Sequence, residues 1–460
     1  MTSSGTTSSL TRPSALREIL REPVVRQRII DYLGGSSLES ATCTFIGHID
    51  PKNPSRFKRH PSRHLIPLLD RGFELARSLD DFQSLIVHLD IEYVNFDDPA
   101  AAFSNPRRAF DLQAPLVRAI ERQLLDLDIR YLHVVTGQGH HFVWCVPHAS
   151  RIARRISRLD IRPRSATQSN RENRFQNLAL LMEFLAHRIK SDAAPRCEVP
   201  VEITALHVGS PDGRAREMLS IDISEYGDPL ASRMIRLPYT AYLKPWLSGL
   251  IASRLECHEL PVFCTLPLHE MSVSELIGKR HQPETIISLA RLAGTRIPDA
   301  EIGTANLLDS YLHSDLAGFH RDFHSRLPTA SLPADLPPLP PCATHILEQP
   351  NDLLLKPSGM LHITRCLLAC AWHPSSIATL VTSIFQNPAH QWTPQWEQYD
   401  PATRAAFYVR LFAGQINLGI DRGIDFNCVS HQQKQLCWAP HGCSLAPYHA
   451  RLYQPKPANP

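Results

Sequence analysis

The chain has 460 residues, of which 43% are hydrophobic and 20% charged, and a formal net charge of +3. That length holds two or three domains with a substantial core, and the composition is that of an ordinary globular protein. The charge is too small to argue for a nucleic-acid partner by itself.

Residues 1–9 are rich in Ser, Thr and Gly and lack the apolar centre of a secretory signal, so a disordered tail is expected there. No apolar run approaches the roughly 20 residues of a membrane span. Eleven cysteines, an odd number scattered over a long chain, do not read as a disulfide framework. A cytoplasmic protein without a membrane partner is expected, with some cysteines available for a metal or cluster.

Residues 13–33 read as an amphipathic helix with Ser14 as cap and Gly34-Gly35 as terminator. The stretch to Pro61 is polar and basic, with Lys52, Arg56, Lys58 and Arg59, and residues 63–79 read as helical again. Next comes the run Ser84-Leu-Ile-Val-His-Leu-Asp90-Ile-Glu92. As a strand it puts Asp90 and Glu92 on one face and Ile91 on the other. Two carboxylates side by side repel, and a hard divalent cation between them makes the arrangement useful; an isolated D-x-E is more often a solvated strand end.

A helix is expected over about 112–127, a strand at 131–135, the turn Thr136-Gly-Gln-Gly139, and a second strand from His140 to Val146. Small residues followed by an imidazole suit a phosphate or a nucleoside triphosphate, although a plain hairpin explains them equally well. His140 and His141 would point to opposite faces, so one of them can serve a site. Residues 151–174 hold eight arginines against Asp160 and Glu172, either a surface for a nucleic-acid backbone or a solvated face. Then come an apolar helix at 177–189 and strands at 199–206 and 218–223, the latter bearing Asp222. Arg233, Arg236 and Lys244 follow; they could hold phosphates, and surface ion pairing is the commoner fate of such residues. Residues 327–341 are proline-rich and read as a stiff linker to a mostly helical domain at 342–446.

The order D-x-E, G-x-G-x-H, then apolar-Asp with R-x-x-R-x-P and a later Lys resembles the archaeo-eukaryotic primase superfamily, over roughly residues 63–244. The resemblance implies an α+β fold: a catalytic core related to an RNA-recognition-motif sheet, joined to an α/β unit. It implies a template-dependent nucleotidyltransferase, a DNA primase or primase-polymerase, using two divalent metals, Mg²⁺ or Mn²⁺. Asp90, Glu92 and Asp222 become the catalytic metal ligands, His141 the nucleotide contact, and Arg233, Arg236 and Lys244 contacts to phosphate or substrate. Single-stranded DNA template, nucleoside triphosphates and a helicase or other replication proteins are the implied partners. The second acid is Glu where many relatives have Asp, which leaves the metal chemistry unchanged.

Cys342, far upstream of Cys428, Cys437 and Cys443 with a helical stretch between, resembles the C-terminal iron–sulfur domain of the primase large subunit. The implied ligands are those four cysteines, with His362 and Arg365 matching a His-x-x-Arg of that domain. The last two cysteines lie closer together than in that pattern, so a 4Fe–4S cluster, a tetrahedral Zn²⁺ and unligated thiols all stay open. Cys366 and Cys370, one helical turn apart, read as packing, and the pair Cys257 and Cys264 as no metal site. The expected organisation is a tail and helix at 1–35, the catalytic domain at 36–250, a helical region and linker at 251–341, the cysteine-ligated helical domain at 342–446 and a tail at 447–460.

Two other functions compete. A nucleic-acid-binding protein of a mobile element could keep the fold without catalysis. A rolling-circle-type nicking endonuclease needs a His-apolar-His pair, and the adjacency of His140 and His141 speaks against it.

Overall fold

The computed structural model describes residues 14–50, 53–162, 168–204, 216–247, 261–268, 271–327, 336–350, 356–387, 389–390, 399–439 and 442–453. Residues 1–13, most of the expected linker (328–335), Arg164, Cys257, residues 205–206 of an expected strand and 454–460 of the expected tail lie outside them. The chain is mixed α and β, with two sheets and a helical C-terminal region. Its strands are β1 (Ile46–Asp50), β2 (Asn53–His60), β3 (Leu75–Ser78), β4 (Ser84–Asn95), β5 (Leu132–Val135), β6 (Gly139–Pro147), β7 (Val201–Ile203), β8 (Glu217–Asp222) and β9 (Met234–Arg236).

Two compact units are formed, and they interleave along the chain. The first is Met1–Ser78, His133–Gly137 and Met234–Ile297; the second is Leu79–Leu132, Gln138–Arg233 and Pro298–Pro460. These boundaries cut across the segments expected from composition. The long-range pairing of β9 with β3 explains the first unit, because it recruits the chain after Arg233 to a sheet begun before Ser78.

In the first unit the antiparallel strands run β2-β1-β3-β9. The helix expected at 13–33 is two helices, Ser14–Arg21 and Pro23–Tyr32. Pro23 has no N–H to give and so opens a new helix in its first turn. The helix expected at 63–79 is shorter: a 3-10 turn at Ser62–His64, then Leu65–Asp70. Gly72 turns left-handed at φ +67°, which ends the helix and releases the chain into β3. All four β3 residues are buried, so no alternation marks it as a strand. The basic stretch before Pro61 holds the β1–β2 hairpin.

In the second unit the strands follow the order β6-β4-β8-β7. β4 is central and antiparallel to both β6 and β8, while β7 is parallel to β8. The helix after β4 begins at Pro106, earlier than expected, because the Asn105 side chain accepts from the Arg108 N–H (3.3 Å) and Pro106 fills the first turn. The next long helix, Asn170–Ala193, is capped by Ser169 and buried along most of its length. The C-terminal helices are Pro341–Glu348, Pro357–Ala369, Pro374–Gln386, Pro401–Asn417, Cys428–Gln433 and Ala446–Tyr453. The last replaces part of the expected tail, and the Tyr453 hydroxyl ties it to Asp421 at 2.7 Å.

A buried polar cluster joins four helices of this unit. Glu183 accepts from Arg410 (Nε, 2.9 Å) and pairs with His320 (3.1 Å), whose other nitrogen meets the Tyr311 hydroxyl at 2.9 Å. Burial alone would raise the Glu183 carboxyl, but Arg410 and then His320 outweigh it and bring it down to about 2. Burial pushes His187 down to about 3 and lowers His320 and His324 as well. His187 and His324 stay neutral in the fold and take up protons near pH 6.5 once unfolded. Below that value the unfolded chain binds more protons, so stability must fall on acidification. Thermal melting is expected to drop steadily from pH 7 to pH 5; a melting temperature that is flat or rising across that window would contradict this reading of the cluster.

Candidate active site

The backbone register of β4 assembles the site. Asp90 stands opposite Asp222 on β8 and opposite His141 on β6. Directly opposed residues of antiparallel strands share a face, with Cα atoms about 4.5–5.5 Å apart. Asp222, Asp90 and His141 therefore form one row across three strands, and the His141 Nε2 lies 3.4 Å from Asp90 Oδ1. Glu92, two residues on, shares that face and stands opposite Ser220 and Gly139. His140 is on the other face, its ring edge-on to Phe110 with centroids 5.2 Å apart.

Gly139 lets β4 and β6 close: a Cβ there would collide with the Ile91 carbonyl oxygen. Gly137 belongs to the first unit, where a Cβ would run into the Tyr242 ring. Both glycines of the expected phosphate turn are thus accounted for by protein packing.

A second imidazole was missed by sequence reasoning, although strand alternation could have found it. His88 lies two residues before Asp90 on the same face, and its ring meets that of His141 edge-on at 4.5 Å. Its Nδ1 is 2.9 Å from Glu225 Oε1. The Tyr226 hydroxyl accepts from the His88 N–H (3.1 Å) and donates to its carbonyl (2.8 Å), so the backbone is gripped as well. Burial alone would lower the His88 imidazole, but Glu225, then Asp90 and Asp222, hold it above its ordinary value. Burial raises the Glu225 carboxyl; His88 opposes that rise, while Asp222 and Asp90 add to it. Negative charge is concentrated on this face.

Arg233 pairs with Asp228, a fully buried carboxylate that also accepts from Arg404 at 2.7 Å. Arg236 and Lys244 belong to the first unit. Arg236 pairs there with buried Glu74 and lies over the Tyr242 ring at 4.6 Å, and the Lys244 backbone N–H donates to Glu74 at 3.1 Å. In the arginine-rich stretch, Arg155 pairs with Asp309, Arg171 with Asp80 at 3.3 Å, and Arg174 donates to Ser157 at 2.8 Å. Arg151, Arg154 and Arg158 are exposed.

The four expected cysteine ligands come from three places. Cys342 is in helix Pro341–Glu348, Cys428 opens helix Cys428–Gln433, and Cys437 and Cys443 precede Ala446–Tyr453. His345 stacks on Trp438 with centroids 3.8 Å apart, which brings the first helix beside Cys437. Burial pushes the Cys342 thiol up to about 12, with Cys443 and Cys437 adding to the rise. The Cys443 thiol is raised as well, by desolvation first and then by Cys428 and Cys437. His362 instead lies 3.7 Å from Cys366 and 2.8 Å from His431, and Arg365 is buried between Asp421 and Asp425. Cys366 and Cys264 are buried in the cores of their units.

Among the described residues, no group of three or more His, Cys, Asp or Glu side chains is arranged to hold a metal ion as it stands. No helix of the described residues is long and apolar enough to cross a membrane. Comparison with protein-family models, with curated proteins and with solved structures returns no match.

Gly139→Ala is expected to force β6 away from β4 and cost about 1–3 kcal/mol of stability, with the loss read by denaturant titration. Unchanged stability would mean that the strands beside Asp90 and His141 are not closely apposed.

Proposed function

We infer that the chain is a template-dependent nucleotidyltransferase of the primase-polymerase kind. The observation that carries this reading is the row Asp222–Asp90–His141 across three neighbouring strands, with Glu92 on the same face. The succession strand, helix, strand pair, helix, strand, with β4 central and antiparallel to β6 and β8, supports an RNA-recognition-motif-like core. Opposed carboxylates on one face, Asp90 and Asp222 with Glu92 beside them, are a donor set suited to hard divalent cations.

Asp90, Glu92 and Asp222 would hold Mg²⁺ or Mn²⁺. Bound there, the cations supply the charge that activates a 3′-hydroxyl and stabilises leaving pyrophosphate. His141, buried at the end of the row, would donate to a phosphate oxygen of the incoming nucleotide, with its ring held by His88. Arg233, the one expected phosphate contact that shares a unit with the carboxylates, would add a guanidinium. The exposed Arg151, Arg154 and Arg158 would follow the template backbone. Cys342, Cys428, Cys437 and Cys443 would hold a thiolate-ligated centre, either a 4Fe–4S cluster or Zn²⁺, which visible absorption of anaerobically purified protein distinguishes. The opposite facing of His140 and His141 disfavours a nicking endonuclease, whose histidines must converge.

The test is nucleotide incorporation on single-stranded DNA, primed and unprimed, with ribo- and deoxynucleotides and either Mg²⁺ or Mn²⁺. The wild-type protein should incorporate, and Asp90→Ala should lose about 10³-fold, equivalent to several kcal/mol of charge stabilisation. If wild type and Asp90→Ala are equally inactive yet bind DNA alike, the catalytic reading fails and a non-catalytic binding protein takes its place.

A further inference from the structure

Asp222 ends β8, and the chain then makes two 3-10 turns, Ser224–Gly227 and Leu230–Ser232, before reaching Arg233. Asp228, between the turns, is fully buried. An isolated carboxylate could not stay ionised there, and two guanidiniums attend it. Arg404 donates to Oδ1 at 2.7 Å, and Arg233 pairs through Oδ2.

Arg404 comes from helix Pro401–Asn417, about 170 residues further along the chain. That helix is started by Asp400, whose side chain accepts from the Thr403 N–H at 2.7 Å, and it is fitted closely to the loop. A Cβ on Gly227 would come within 2.5 Å of the Phe407 ring. The Arg404 guanidinium lies over Tyr399 at 4.3 Å and Tyr408 at 5.0 Å, which fixes its plane. Burial raises the Tyr408 phenol, and Arg404, Asp222 and Arg233 act on it electrostatically.

One buried carboxylate facing two guanidiniums leaves one cation in excess within that group. The Arg404 side chain is 9% exposed and that of Arg233 27%. Arg404 is thus the fixed partner, and Arg233 the one with room to turn.

We propose that Arg404, carried by the C-terminal helical region, is a positioning residue of the nucleotide site: by holding Asp228 it leaves Arg233 able to take a phosphate of a nucleoside triphosphate. The inference rests on the nucleotidyltransferase reading for the identity of the anion. It goes beyond that reading by making the C-terminal helices part of the catalytic unit. Without Arg404, Asp228 keeps Arg233 to itself, and the nucleotide loses a charge-assisted contact.

The experiment measures binding of ATP with Mg²⁺ to the full-length chain, alongside incorporation kinetics. Arg404→Gln should weaken ATP binding and raise the nucleotide KM by about tenfold, the scale of one charge-assisted contact, with kcat changed far less. Arg404→Lys should recover most of the affinity. In an Asp228→Asn background, where Arg233 is already released, adding Arg404→Gln should change affinity little; melting curves identify any variant that fails to fold. Wild-type affinity in Arg404→Gln would overturn the proposal. So would an equal further loss of affinity in the Asp228→Asn background, since that is what a purely structural arginine gives. ATP binding that follows this pattern without any incorporation would leave Arg404 in its role and overturn the polymerase reading. A wild-type chain that does not bind ATP with Mg²⁺ overturns both.

Discussion

The hydrogen-bond ladder on both sides of β4 is the constraint from which the site follows. Strand register is all or nothing: a shift of one residue would turn Asp90 and Glu92 away and bring Ile91 into their place. The register is pinned from two directions. Gly139 permits close approach of β6, and the alternation of buried Leu89, Ile91 and Tyr93 with half-buried Asp90 and Glu92 fixes which face enters the core. Once β4 is set, His141 and Asp222 have no freedom to be elsewhere. The cost is like-charge crowding on one face: burial raises the Glu225 carboxyl and Asp222 and Asp90 add to that rise, and after Glu225 they also help hold the His88 imidazole up. A cation binding among these groups would relieve it.

Buried charge pairs carry the sheet's order outwards into the helices. Three side chains of helix Pro401–Asn417 reach residues fixed by the sheet or by the long helix on it: Arg404 to Asp228, Arg410 to Glu183, and Gln415 to Lys190 at 3.4 Å. Lys190 in turn pairs with Glu202 of β7 at 2.6 Å. Removing one member of such a pair leaves an uncompensated buried charge, typically a loss of about 3–5 kcal/mol. Helix Pro401–Asn417 is therefore bound to the β4 sheet and its covering helix by geometry-specific contacts. That is why residues 298–460 cluster with β4, although their composition sets them apart as a separate segment.

The legible part of the chain was whatever a short periodic pattern encodes. The apolar run of residues 85–89 leading into Asp90-Ile91-Glu92 identifies β4, and period two gives its carboxylate face and separates His141 from His140. The resemblance also names four cysteines, which the fold draws from three places in the C-terminal helical region. What stayed hidden was either locally featureless or long-range. β3 is buried on both faces and so has no alternation, and β1–β2 is masked by its basic side chains. The pairing of Arg404 with Asp228, like the recruitment of β9 to β3, joins residues more than 150 positions apart, and no local signal foretells it. The roles expected of Arg236 and Lys244 show the converse: their spacing suggested a phosphate site, while their contacts are to Glu74 in the other unit.

The central claim, that β4 and β8 together hold divalent cations, is tested most directly by titrating Mn²⁺ into the full chain and following the free ion by electron paramagnetic resonance. The account predicts a Mn²⁺ site in the wild-type protein that Asp90→Asn and Asp222→Asn each weaken by about tenfold or more, since each removes a formal charge from the ligand set. Mn²⁺ uptake that is the same in all three proteins would contradict it.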